Sequence, residues 1–169
     1  MQRVGIVLGT VGLSLAATVG LASQASAGEG NPGTSHSDRI GEVTFQYSYA
    51  TQWLNIGGKW PFGKVYLTMQ SDGNLVMYKN SGGVAWASNT ARSGATKMLF
   101  QTDGNLVLYK SDGRTAVWSS RTANKCTAPN ASPVIALQSD SNFVIYCKNP
   151  VMTMRPKFEV VWATNTSGL

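Results

Sequence analysis

Five side chains recur together in this chain at fixed spacing, and their shared chemistry is hydrogen bonding to hydroxyl groups. Gln70, Asp72, Asn74, Val76 and Tyr78 form one set; Gln101, Asp103, Asn105, Val107 and Tyr109 a second; Gln138, Asp140, Asn142, Val144 and Tyr146 a third. An ionised Asp accepts, Gln and Asn donate and accept, and a phenol does both. A polyol hydroxyl donates to one partner and accepts from another, so Asp beside Asn holds one hydroxyl from two sides. The Val offers a small apolar contact for C–H groups. Turn chemistry alone explains Asp72 and Asn74, since both residue types favour turns. It leaves Gln70 and Tyr78, kept in all three copies, without a role.

The elements that carry these sets follow from the neighbouring residues. Asp-Gly between two apolar runs signals a hairpin. A two-residue loop would put Gln70 on the side of Leu75 and Met77. A three-residue loop over Ser71, Asp72 and Gly73 instead pairs Gln70 with Asn74. It then places Leu67, Met69, Leu75 and Met77 on one face and Gln70, Asn74, Val76 and Tyr78 on the other. Register follows the apolar pattern, so the second arrangement is expected. The same rule gives inner faces of Met98, Phe100, Leu106 and Leu108, and of Ile135, Leu137, Phe143 and Ile145. Ser141 stands where the other copies have a turn glycine, so that turn is expected to be strained. After each hairpin comes a second signature, at Trp86 to Thr90, Trp118 to Thr122 and Trp162 to Thr166. No helical periodicity runs through these segments, and the pattern is all-β. One hairpin face is too small to be stable alone. Three units around a pseudo-threefold axis would bury a common core, with Trp86, Trp118 and Trp162 filling it. The third unit carries extra residues around 148–159, with Pro150 and Pro156, which read as a long loop able to cover or extend the third set.

The rest of the chain bounds the function. Arg3, an apolar run from Val4 to about Ala22 and Ala25-Ser-Ala27 make the pattern of a secretory signal over 1–27. Residues 28–40, rich in Gly, Ser and polar side chains, read as a flexible leader, and 41–169 as one domain of three repeats. The 169 residues carry a net charge of +6, but Lys and Arg are scattered singly, which argues against a nucleic-acid footprint. No segment after the signal is apolar and long enough to span a bilayer. Cys126 and Cys147 are expected to form a disulfide in an exported chain. A lone His36 and two Cys give no metal site, and no nucleophile–base set or phosphate loop is present, so neither cofactor nor enzyme activity is expected. One Asp per hairpin does not make the paired carboxylates of a glycosidase.

The Gln-x-Asp-x-Asn-x-Val-x-Tyr repeat, with Trp-x-x-x-Thr after it, resembles the monocot bulb-type mannose-binding lectins and their bacterial relatives, over roughly residues 41–169. The resemblance implies a β-prism II fold: three four-stranded antiparallel sheets about a pseudo-threefold axis, with sugar bound without metal. It assigns the Asp and Asn of each set to the axial 2-hydroxyl of mannose, the Gln to the 3-hydroxyl, the Tyr to the 4-hydroxyl and the Val to the ring. It thereby implies a secreted lectin for mannose-rich glycans, and makes a homodimer by exchange of C-terminal strands possible. A lectin-like antibacterial protein that recognises rival cells is the alternative. A trefoil lectin would show Gln-x-Trp near each repeat end, which is absent here. Asn130 and Asn165 begin glycosylation-type triplets.

Overall fold

The computed structural model describes residues 30–31, 36–150 and 155–169; residues 1–27, read from the sequence as a secretory signal, lie outside the described residues. The described residues form fourteen strands and no helix: β1 Gly30–Asn31, β2 His36–Ile40, β3 Val43–Tyr49, β4 Gln52–Asn55, β5 Lys59–Phe62, β6 Val65–Met69, β7 Leu75–Lys79, β8 Val84–Ala87, β9 Ala95–Phe100, β10 Leu106–Lys110, β11 Ala116–Ser119, β12 Ser132–Gln138, β13 Phe143–Lys148 and β14 Phe158–Ala163. Three antiparallel sheets result, in the orders β5-β6-β7-β8, β1-β4-β9-β10-β11 and β14-β13-β12-β3-β2.

Each repeat supplies three consecutive strands of one sheet. The fourth comes from the segment before the repeats: β3 joins the third repeat, β4 the second and β5 the first. One short stretch of chain therefore visits all three sheets in turn and ties them together. Pro61 sits on β5, an edge strand, where a missing N–H costs no ladder bond.

The expected register holds. Met69 faces Leu75 across the first hairpin, and the Gln70 and Asn74 backbones close the three-residue loop. All twelve inner residues assigned from the pattern are buried in one core. Between β7 and β8, β10 and β11, and β13 and β14, the register slips at the same place, just before the Tyr of each set. A bulge lets neighbouring residues serve one side, so Ala85 with Trp86, Val117 with Trp118 and Val161 with Trp162 all pack on the core. The three indoles meet edge to face around the axis, with centroids 6.0, 5.8 and 6.1 Å apart. They are half-buried, closing the core at one end.

Two sheets have five strands where four were expected. Within residues 28–40, β2 pairs along its whole length with β3, and β1 pairs with β4. β2 has no apolar alternation to betray it. Backbone pairing, His36 stacked on Tyr47 at 5.2 Å and a Lys157–Asp38 ion pair hold it. Cys126 and Cys147 form the expected disulfide, with Cα atoms 5.3 Å apart, and fasten the β11–β12 connection to β13.

Candidate functional site

Each set of five residues is built on a hairpin end, and the backbone fixes its polar atoms. The Asp side chain closes the turn: Asp72 Oδ1 accepts from the Asn74 N–H at 2.9 Å, Asp103 Oδ1 from Asn105 at 2.9 Å, and Asp140 Oδ1 from Asn142 at 3.1 Å. The residue before each Asn has positive φ, 89° at Gly73, 83° at Gly104 and 74° at Ser141, so the strain expected at Ser141 has its geometry. At Gly104 a Cβ would also lie 2.9 Å from Pro133 Cβ.

The Asn amides are held from the other side by the second signature. Asn74 Oδ1 accepts from Ser88 Oγ at 3.0 Å and from the Thr90 N–H at 3.1 Å. Ser120 and Thr122 do the same for Asn105, and Thr164 and Thr166 for Asn142. A backbone N–H can only donate, so each amide has one permitted orientation. The Thr hydroxyl in turn donates to the carbonyl of the turn residue, at 2.7 Å for Thr90 on Gly73 and 2.6 Å for Thr122 on Gly104. Asn89, Arg121 and Asn165 each take φ between 55° and 58°, which swings the chain so that this N–H reaches the amide. These Ser and Thr residues were not assigned a role from sequence. Their signal was present, because a hydroxyl recurs two and four residues after every Trp.

The Gln and Tyr of each set form a pair. Gln70 Nε2 donates to Tyr78 Oη at 2.8 Å, Gln101 to Tyr109 at 2.9 Å and Gln138 to Tyr146 at 2.6 Å. Among the described residues, the protein therefore leaves free one carboxylate oxygen of Asp72, Nδ2 of Asn74, Oε1 of Gln70 and the hydroxyl proton of Tyr78, and likewise in the second set. These are two acceptors and two donors, the complement of neighbouring sugar hydroxyls. Val76 and Val107 are buried and make the floor of their sites.

The three sets differ in access. Gln70, Tyr78, Gln101 and Tyr109 are half-buried, but Gln138 is 5% and Tyr146 3% exposed. Their cover is an apolar cluster on the outer face of the third sheet, formed by Phe45, Tyr47, Val134, Ala136, Val144, Tyr146 and Phe158. Phe158, first residue of β14 after the long loop, lies across the hairpin with ring centroids 5.0 Å from Phe45, 5.5 Å from Tyr47 and 5.6 Å from Tyr146. Burial pushes the Tyr146 phenol above its ordinary value, against the opposing effect of the Gln138 hydrogen bond. The sequence presents three complete sets; the structure presents two with all polar groups accessible, and a third in which Gln138, Val144 and Tyr146 are covered while Asp140 and Asn142 stay part-exposed.

No family model matches the chain, and none of the curated proteins does. Solved structures do. A monomeric monocot mannose-binding lectin from Gastrodia elata is 32% identical, with a TM-score of 0.57, over 72% of this chain and 97% of that one. The chain belongs to the monocot bulb-type mannose-binding lectin family. The mannose-specific agglutinin of snowdrop (Galanthus nivalis), solved with methyl-α-D-mannoside, is 33% identical with a TM-score of 0.52, over 66% of this chain and 96% of that one. A Marasmius oreades lectin is 25% identical with a TM-score of 0.58, over 72% and 92%. Three antiparallel sheets without a helix among the described residues are the β-prism II architecture of this lectin family.

Proposed function

We propose that this chain is an exported, metal-independent mannose-binding lectin whose working sites are the first and second sets. The observation that carries the reading is the pair of clamped hairpin ends. In each, the Asn amide is locked by a hydroxyl and a backbone N–H, while Asp, Asn, Gln and Tyr keep unpartnered polar atoms on an accessible face. Pre-set donors and acceptors reduce the ordering cost of binding. The snowdrop relative's methyl-α-D-mannoside complex supports mannose as the sugar. Among the described residues no group of three His, Cys, Asp or Glu comes together, and the polar groups named suffice to hold a hydroxylated ring. Each Asp stands alone on its hairpin, so the chain binds and does not hydrolyse. The signal pattern at 1–27 and the disulfide support export.

One shallow site is expected to bind at about millimolar strength, or about −4 kcal/mol, and two sites gain on branched glycans by multivalency. The test is calorimetric titration with a branched oligomannoside. Asp72→Asn with Asp103→Asn keeps an acceptor for each turn and removes the carboxylates. Heat in the wild type that is lost in the double variant, with both folded, is the expected result. Unchanged heat in the double variant would refute the assignment of these sites.

A further inference from the structure

The two accessible sets share a second feature on the same outer face: each is flanked by one aromatic ring and one lysine, in exchanged positions. In the first sheet Tyr66 is the cross-strand partner of Tyr78, and Lys59 lies on the edge strand opposite Thr68, which faces Val76. Lys59 Nζ sits 5.2 Å from the Tyr66 ring centroid, and Tyr66 stacks on Tyr78 at 5.5 Å. Lys59, Tyr66, Gln70 and Tyr78 line one open cavity of about 420 Å³. In the second sheet the order is reversed. Lys97 is the partner of Tyr109, and Trp53 on β4 faces Leu99, which faces Val107. Trp53 is 40% exposed, a large apolar ring held at the surface among the described residues. The third sheet has Val134 and Tyr47 at these places, inside the apolar cluster. No Asp or Glu occurs in β4, β5, β6 or β9, so neither lysine has an acidic neighbour on its own or the adjoining strand.

We propose that both accessible sites take an anionic saccharide: the hairpin set holds a neutral hexose, and the adjoining unit carries a phosphate or carboxylate that pairs with Lys59 in the first site and Lys97 in the second. In the second site the exposed Trp53 supplies a flat apolar surface for the C–H face of that unit. The ring of Tyr66 holds the Lys59 ammonium at the cavity wall by a cation–π contact. A lysine and an aromatic ring flank both accessible sets on their outer face; at the covered set Tyr47 stands at the corresponding place but is buried, and Lys148, 6.0 Å from its ring, donates to Tyr49 Oη.

The inference rests on the mannose reading, and the experiment separates the two. The full chain is titrated with methyl α-mannoside, a phosphodiester-bridged mannobiose and a mannobiose ending in a uronic acid, at low and at high salt. An exposed ion pair of this kind is expected to tighten binding about threefold to fivefold at low salt, with the gain shrinking as salt screens it. The gain is expected to vanish in Lys59→Ala with Lys97→Ala while methyl α-mannoside binds as before. A gain with only one anionic probe identifies phosphate or carboxylate as the group recognised. Equal affinity for neutral and anionic probes, or a gain that survives the double variant, overturns the proposal. Silence toward methyl α-mannoside in every protein refutes the mannose reading instead.

Discussion

Phe158→Ala tests whether the third set is closed by the ring that follows the long loop. Phe158 is 7% exposed and meets Phe45, Tyr47 and Tyr146 edge to face within 5.6 Å. Truncating a buried Phe costs about 3–5 kcal/mol, from lost transfer energy and the cavity left behind. Phe158 opens an edge strand at the rim of its cluster, where neighbours can partly collapse, so the expected loss is about 3 kcal/mol. A domain of this size is stable by about 5–15 kcal/mol and still folds after such a loss. Urea unfolding followed by the fluorescence of the Trp86, Trp118 and Trp162 cluster measures it. The same variant uncovers the Gln138–Tyr146 pair, so calorimetric stoichiometry for an oligomannoside should rise from two sites per chain toward three. A wild-type stoichiometry of three, or a stability loss under about 1 kcal/mol, would show that Phe158 does not seal this face.

Thr90→Val removes the hydroxyl that bonds the Gly73 carbonyl and pairs with Ser88; it should cost about 1–2 kcal/mol and halve the number of sites seen by calorimetry. Cys126→Ser with Cys147→Ser opens a cross-link spanning 21 residues and should lower stability by about 3 kcal/mol in denaturant titration without changing sugar affinity. Burial holds the Tyr146 phenol above 10.0, which favours its neutral form in the folded chain. That contribution is complete below the unfolded phenol's value and is lost as pH rises through the higher folded one. Melting temperature should therefore fall more steeply in this alkaline range for the wild type than for Tyr146→Phe.

The hairpins were legible because the apolar alternation is repeated three times and only one loop length separates it from the polar set. Twelve inner residues, the three-residue turns and the left-handed Ser141 followed from that one rule. The pairing of β3, β4 and β5 with three different repeats was not legible, because long-range register leaves no local mark. Nor was β2, whose side chains are mostly exposed and whose pairing is a matter of backbone bonds and the ring of Tyr47. Phe158 was hidden differently. Its loop was recognisable as an insertion, but nothing in its sequence says which way the chain returns.

Repetition of the Gln and Tyr in all three copies argues for binding only while no internal role exists for them. The structure supplies such a role. In the third copy Gln138 donates to Tyr146 at 2.6 Å inside an apolar cluster, where either group alone would be an unsatisfied buried polar atom. The pair is thus a self-contained unit that fits equally under a layer of aromatic rings or at an accessible site. The Asn clamp has the same double character, since Thr164 and Thr166 hold Asn142 although that hairpin is mostly covered. Motif integrity therefore reports that the hairpin is built, and access reports whether it can bind. On that criterion the first and second hairpins, with half-buried Gln and Tyr and exposed flanking Lys59 and Trp53, present their polar atoms to solvent, whereas the Gln138–Tyr146 pair of the third lies under aromatic rings.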